Sequence, residues 1–160
     1  RPPFAWRPDR SAINSAEQLD RIRTLTQIGI DEGGEAWSPA CDLPERGFWF
    51  APTIFTGVQT ANTIARDEIF GPVLSVLTFR TPAEAVAKAN TTPYGLSAGI
   101  WSDKGARILD LADRLQAGVV WANTFNKFDP ASPFGGVKES GYGREGGRQG
   151  LAAYLQEGSR

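Results

Sequence analysis

At 160 residues, 41% hydrophobic and 22% charged, the chain is long enough for one globular domain with a sizeable core. A net charge of −1 leaves no basic stripe for nucleic acid and no polybasic signal for a membrane, and no apolar run nears the roughly 18 residues of a spanning helix. A single cysteine excludes an internal disulfide framework and makes a reducing, cytoplasmic setting the expectation; the absence of histidine excludes Ser-His-Asp triads, Cys-His pairs and histidine metal sites.

In chain order, Arg1–Arg10 is rich in proline and arginine and reads as an irregular tail. Ser15 can cap a helix, with Gln18 as its capping-box partner. Leu19, Ile22, Leu25, Thr26 and Gly29 follow at helical spacing until Gly33-Gly34 stop it. Trp37–Arg46 reads as a loop. Phe48–Phe55 is extended, although Pro52 argues against a central strand. Pro72–Phe79 has the length and β-rich composition of a buried strand.

Thr81-Pro-Ala-Glu84 then starts a helix with a hydroxyl cap, an early proline and an acid in the first turn, and Pro93 and Gly95 end it past Asn90. Leu96–Trp101 is a second strand. Asp103 is placed to cap the next helix, with Ile108, Leu109, Leu111, Ala112 and Leu115 as its apolar face. After Gly118 comes a short buried strand, Val119–Ala122. This alternation predicts an α/β fold with an open, mostly parallel sheet flanked by helices. Ligands in such folds sit beyond the carboxyl ends of the strands, which is where the glycine-rich segment Asn123–Arg144 begins.

Three motifs invite a functional reading. Gly141-Tyr-Gly-Arg-Glu-Gly146 fits G-x-G-x-x-G, but no strand immediately precedes it, and Arg160 is reached before an acid about 20 residues on. We read these as turn glycines. Cys41 is followed by Asp42, whereas reactive cysteines need electropositive surroundings, so an inert thiol is expected. Glu68, in Arg66-Asp-Glu-Ile-Phe-Gly-Pro72, is either a solvated acid paired with Arg66 or a carboxylate that accepts both hydroxyls of a vicinal diol. In the second case Phe70 offers a flat apolar face to a ring beside that sugar.

Glu68-Ile-Phe-Gly-Pro72 resembles a motif of the aldehyde dehydrogenase superfamily. So do Gly47–Phe55, Ala89-Asn90, Tyr94-Gly-Leu96, Ala117–Asn123, Pro133-Phe-Gly-Gly136 and Lys138-Glu-Ser-Gly141, in order and spacing. The resemblance covers about residues 11–154 and implies the C-terminal portion of that family's catalytic domain, leaving 155–160 as a tail. It implies NAD or NADP as cofactor, with Glu68 holding the nicotinamide ribose and Phe70 packing near the nicotinamide. It implies a small aldehyde as substrate, passing Phe128 and Phe134, whose alternative role is core packing. Asn123 is expected to orient the loop by capping backbone groups.

The family's covalent reaction needs a cysteine nucleophile and a glutamate base, and Cys41 does not match the nucleophile's motif. No catalytic residue and no metal ligand is therefore assigned. Without a methionine, and opening on Arg1, the chain is expected to be a fragment of an NAD(P)-dependent enzyme, inactive alone. Its partners would be the remainder of the enzyme or further copies of itself. The alternatives are a non-catalytic module for assembly and a folding-deficient fragment with exposed core.

Overall fold

A computed structural model describes residues 11–155. The expected terminal tails, 1–10 and most of 155–160, fall outside that range. Where the length permits one domain, the chain forms two compact units divided between Thr78 and Phe79. Each has its own centre of packing.

The first unit contains β1 (Ser11–Ala12), α1 (Ala16–Asp31), β2 (Glu35–Trp37), β3 (Trp49–Phe50), β4 (Thr53–Thr56), α2 (Thr63–Arg66) and β5 (Val73–Ser75). Helix α1 starts as expected: the Ser15 hydroxyl accepts the Gln18 backbone N–H at 3.1 Å. Leu19, Ile22, Leu25 and Gly29 are its buried stripe. Ile22 and Leu25 join Phe55, Val58, Ile64 and Ile69 in one apolar cluster, in which Ile22 and Phe55 are fully buried. Gly29 makes this packing possible. A Cβ there would lie 2.8 Å from Ile64 Cδ1, inside van der Waals contact.

Pro52 separates two strands that pair with different partners. Before it, β3 runs antiparallel to β1; after it, β4 lies between antiparallel β2 and parallel β5. Along β4, Thr53 and Phe55 point into the core while Ile54 and Thr56 point out. Strand β5 is shorter and less buried than Pro72–Phe79 suggested. It is an edge strand, and Leu74 and Val76 are exposed.

The second unit contains α3 (Pro82–Asn90), β6 (Tyr94–Gly95), β7 (Ser97–Ile100), α4 (Gly105–Arg114), β8 (Val119–Ala122), β9 (Val137–Lys138) and α5 (Gly147–Ala152). The Thr81 hydroxyl caps α3 through the Glu84 N–H at 3.1 Å. Strands β7 and β8 are parallel, joined by α4, with Ser97 beside Val119 and Ile100 beside Ala122. Strands β6 and β9 are antiparallel. The α/β class holds, and its parallel pairs are the ones bridged by helices. The sheet is mixed rather than mostly parallel: the described strands fall into four small sheets, in which antiparallel β2 edges the parallel β4–β5 pair, β7–β8 is parallel, and β1–β3 and β6–β9 are antiparallel.

Asp103 does not cap α4. The Ser102 hydroxyl accepts the Lys104 N–H at 3.2 Å, and the helix starts one residue later, after Lys104. Leu109 lies off the inward face, 74% exposed, while Ile108, Leu111, Ala112 and Leu115 are half-buried.

A polar clasp closes the far end of α1. The Glu32 carboxylate accepts the Thr63 N–H at 2.7 Å and the Thr63 hydroxyl at 2.6 Å, and the Glu32 carbonyl accepts from Asn62. These bonds, led by the Thr63 hydroxyl, hold the Glu32 pKa below its ordinary value of about 4.5. A lowered folded-state pKa stabilises the protein above the unfolded value, and that contribution is lost as pH falls through the folded one. Thermal melts should therefore show Glu32→Gln below the parent protein at pH 7, with the gap closing in acid. A gap independent of pH would contradict the clasp. Phe55→Ala, which empties a fully buried site, should cost about 3–5 kcal/mol in urea unfolding.

Candidate functional site

The expected cofactor residues form a ledge built by α1. Helix α2 ends at Arg66, and the chain then runs extended through Asp67. Ile69 drives its side chain into the core, 7% exposed, so its neighbours Glu68 and Phe70 face outward; the Phe70 ring is 73% exposed. Three successive carbonyls are held by α1. Arg21 donates to Glu68 O at 3.1 Å, and the Gln18 amide donates to Ile69 O at 3.1 Å and Phe70 O at 3.0 Å. Gln18 thus acts across the fold instead of closing a capping box.

Phe70 has φ 55°, a left-handed backbone conformation uncommon for a bulky residue. The next residue, Gly71, sits against Ile22: a Cβ would come within 2.6 Å of its Cδ1. An open depression of about 380 Å³ runs beside the ring, lined by Ala12, Ile13, Asn14, Gln18, Phe70, Gly71 and Pro72. Among the described residues Glu68 forms no ion pair with Arg66, and its carboxylate accepts no hydrogen bond. Both oxygens are available to a ligand, two residues from an exposed aromatic face. These groups fit the ribose and ring of a nicotinamide nucleotide: acceptors for a diol and a flat apolar surface beside them.

In the second unit, Trp121 near the end of β8 is the hub of an aromatic cluster. It is 9% exposed, and its indole N–H donates to Lys127 O at 3.2 Å. Phe125 and Phe128 meet it edge-on, with centroids at 4.8 and 5.4 Å; Phe134 stacks on it at 6.2 Å. Phe128 and Phe134 also touch edge to face at 4.9 Å. The two residues expected along the substrate path are therefore brought together. Phe128 is largely exposed and Phe134 half-buried, so the cluster is both a packed centre and an apolar surface.

Three polar side chains hold the loops around this wall. Asn123, at φ 52°, accepts the Ser102 N–H at 2.9 Å and donates to Ser102 O at 3.0 Å, the backbone-capping role expected of it. Lys138 donates to Asn90 O at 2.9 Å and Thr92 O at 3.1 Å. Arg144 donates to the carbonyls of Gly136, Tyr142 and Gly143 at 2.8–3.1 Å. Gly141 and Gly146 have positive φ, in keeping with their reading as turn residues.

Sequence reasoning missed Gln18, Arg21, Trp121 and Phe125. The signal for the aromatics was present: Trp121, Phe125 and Phe128 are spaced within one short segment that begins where a strand ends. Cys41 is half-buried in the irregular segment between β2 and β3. Among the described residues no group of three or more His, Cys, Asp or Glu is arranged to hold a metal.

This α/β arrangement is that of known aldehyde dehydrogenases. An NAD-dependent aldehyde dehydrogenase from Sinorhizobium meliloti superposes with a TM-score of 0.86 at 43% identity, over 91% of this chain and 29% of that one. The NAD+ complex of aldehyde dehydrogenase from Bacillus cereus gives a TM-score of 0.85 at 38% identity, over 91% and 30%. The mitochondrial aldehyde dehydrogenase of Sus scrofa is 38% identical over 154 residues, 96% of this chain. The profile described as "Aldehyde dehydrogenase family" matches residues 2–159. The chain belongs to the aldehyde dehydrogenase family. It spans about 30% of the length of the curated relatives it matches.

If Trp121 is the packing centre of the second unit, Trp121→Ala should cost about 3–5 kcal/mol. Leu109→Ala, on an exposed side chain, should stay within about 0.5 kcal/mol. Urea titration of both variants checks the contrast, and equal effects would contradict it.

Proposed function

We propose that this chain supplies the nicotinamide-ribose seat and part of the substrate wall of an NAD(P)-dependent aldehyde dehydrogenase, an oxidoreductase converting a small aldehyde to a carboxylic acid. The observation that carries this reading is the uncommitted Glu68 carboxylate beside the exposed Phe70 ring, on a backbone tied down at three successive carbonyls. When bound, the cofactor supplies hydride acceptance. Glu68 accepts the ribose hydroxyls, and Phe70 covers one face of the nicotinamide and keeps water from it. Phe128 and Phe134 offer an uncharged aldehyde an apolar surface without a competing hydrogen-bond partner. NAD is favoured over NADP because one solved relative is described as NAD-dependent and another was solved as an NAD+ complex.

These 160 residues alone do not turn over an aldehyde in this reading. Their one thiol, Cys41, lies in a loop next to Asp42 with no histidine to activate it. The chain works with the remainder of a longer enzyme or with further copies of itself, in a reducing cytoplasmic setting that suits an unpaired cysteine. A second reading, a non-catalytic assembly module, is favoured by the exposed apolar side chains Leu74, Trp101 and Tyr154.

Reduced nicotinamide mononucleotide, followed by its own fluorescence, tests the seat. The chain should bind it weakly, and Glu68→Gln or Phe70→Ala should each weaken binding about tenfold, the size expected for losing a charge-assisted hydrogen bond or a stacked face. Absorbance at 340 nm with NAD+ and acetaldehyde should stay at background. Binding that ignores both substitutions would sink the seat and leave assembly, measured by light scattering, as the better reading.

A further inference from the structure

The geometry points to the outer face of the β2–β4–β5 sheet as the docking site of an amphipathic helix carried by the remainder of the longer enzyme. The inference rests on the reading that this chain works with that remainder, and is independent of the nicotinamide seat.

Trp37, Ile54 and Leu74 are register partners across the three strands, and all three lie on the face opposite the core. Neighbouring strands are about 4.8 Å apart, so this row runs roughly 10 Å across the sheet. Val76, two residues past Leu74, is tied to Phe55 O by its N–H at 2.9 Å and prolongs the strip. Trp37 is 60% exposed, Leu74 58%, Val76 38% and Ile54 36%. The inner face is complete by contrast: Phe55 and Val73 pack with Ile22 and Leu25 of α1 and Ile64 of α2.

A sheet with one face in water alternates apolar-in with polar-out, whereas a sheet covered by helices on both faces is apolar on both. Strand β4 turns Thr53 inward and Ile54 outward, and β5 turns Leu74 outward. This is the pattern of a sheet covered twice. The helix between the parallel strands β4 and β5 is α2, and it packs on the inner side. Among the described residues no element of the first unit covers the outer side.

Size selects the occupant. A strip roughly 10 Å wide takes one helix, whose diameter with side chains is about 10–12 Å. Its four apolar side chains fall far short of the roughly 20–30 residues a side that hold two free proteins together. A second copy of this chain or an independent partner would therefore not stay on this strip alone. A helix kept beside the sheet by the rest of the same enzyme needs no larger contact, because its effective concentration is high. The curated relatives have the length to supply one, since this chain spans about 30% of theirs.

The test co-expresses the 160-residue chain, tagged, with the portion of the Bacillus cereus aldehyde dehydrogenase that lies outside the match. In a Cys41→Ala background, the thiol introduced by Leu74→Cys should react with iodoacetamide at least tenfold more slowly in the complex than in the chain alone. Benzophenone maleimide on that thiol, illuminated in the complex, should cross-link to partner residues three and four apart, the spacing of one helix face. Trp37→Lys and Leu74→Lys should leave the circular dichroism and urea midpoint of the isolated chain unchanged, yet lower recovery of the complex at least tenfold. Thr24→Lys, at an exposed position on α1, should change recovery less than twofold.

A complex whose thiol reacts as fast as in the free chain, or one that survives both lysine substitutions, would overturn the docking face while leaving the partnership intact. Cross-links two residues apart would replace the helix by a strand and overturn it as well. No complex at all would sink both the face and the reading that the chain works with the remainder. Self-association of the chain alone, with the thiol already protected and Leu74→Lys abolishing it, would overturn the helix in favour of a second copy.

Discussion

The burial of Ile69 in the cluster formed by Ile22, Leu25, Phe55, Val58 and Ile64 is the contact on which the candidate site depends. It is an ordinary apolar burial, worth about 1.5–3 kcal/mol for a side chain of this size. Its consequence is geometric. In a short non-helical stretch adjacent side chains diverge, so a residue driven inward turns its two neighbours out. Those neighbours are a carboxylate and a phenyl ring. The helix that receives Ile69 also supplies Gln18 and Arg21, which satisfy the carbonyls of the stretch it has captured. Core packing and site construction are here the same event, and an exposed ledge gains the rigidity of a buried element.

The second unit solves a related problem with different means. A long glycine-rich segment has few side chains to bury and many backbone groups to satisfy. Lys138 and Arg144 turn inward along their own loops and spend their charges on carbonyls rather than on solvent or a ligand. Asn123 and Asn90 work as neutral clips, each using both ends of its amide: Asn90 accepts from Gln116 N–H and donates to Arg114 O. The aromatic cluster around Trp121 then rests on a frame whose polar groups are already paired. Lys138 and Arg144 therefore read as structural.

What was legible in the sequence was local. Ser15 and Thr81 cap their helices because a hydroxyl three residues ahead of a helical N–H needs nothing from the rest of the fold. Val119–Ala122 came out as a strand for the same reason, a short apolar run bounded by turn residues. Asp103 failed because its competitor, Ser102, was fixed by Asn123 from twenty-one positions away. The Gln18 side chain is the clearest case. Its local pattern spells a capping box, yet its partners lie 51 and 52 residues downstream, and no window on the sequence spans that distance. Sheet pairing, likewise, decides that Leu74 faces out: it lies beside exposed Ile54 on the uncovered face, and that face exists only once strands have paired.

The two candidate surfaces differ in how they would discriminate among ligands. The ledge pairs a carboxylate acceptor with an aromatic face, so it would favour hydroxyls placed beside a flat ring. The wall of Phe125, Phe128 and Phe134 offers only edges and faces, so it separates molecules by shape and by polarity. One methylene more or less changes affinity on such a surface only by about 1–3 kcal/mol, whereas a charged group finds no partner there. Taken each by itself, the ledge would be strict about what it holds and the wall tolerant. The wall's tolerance follows from the chemistry of its rings, and it is set by residues in a loop that the packing of Trp121 holds in place.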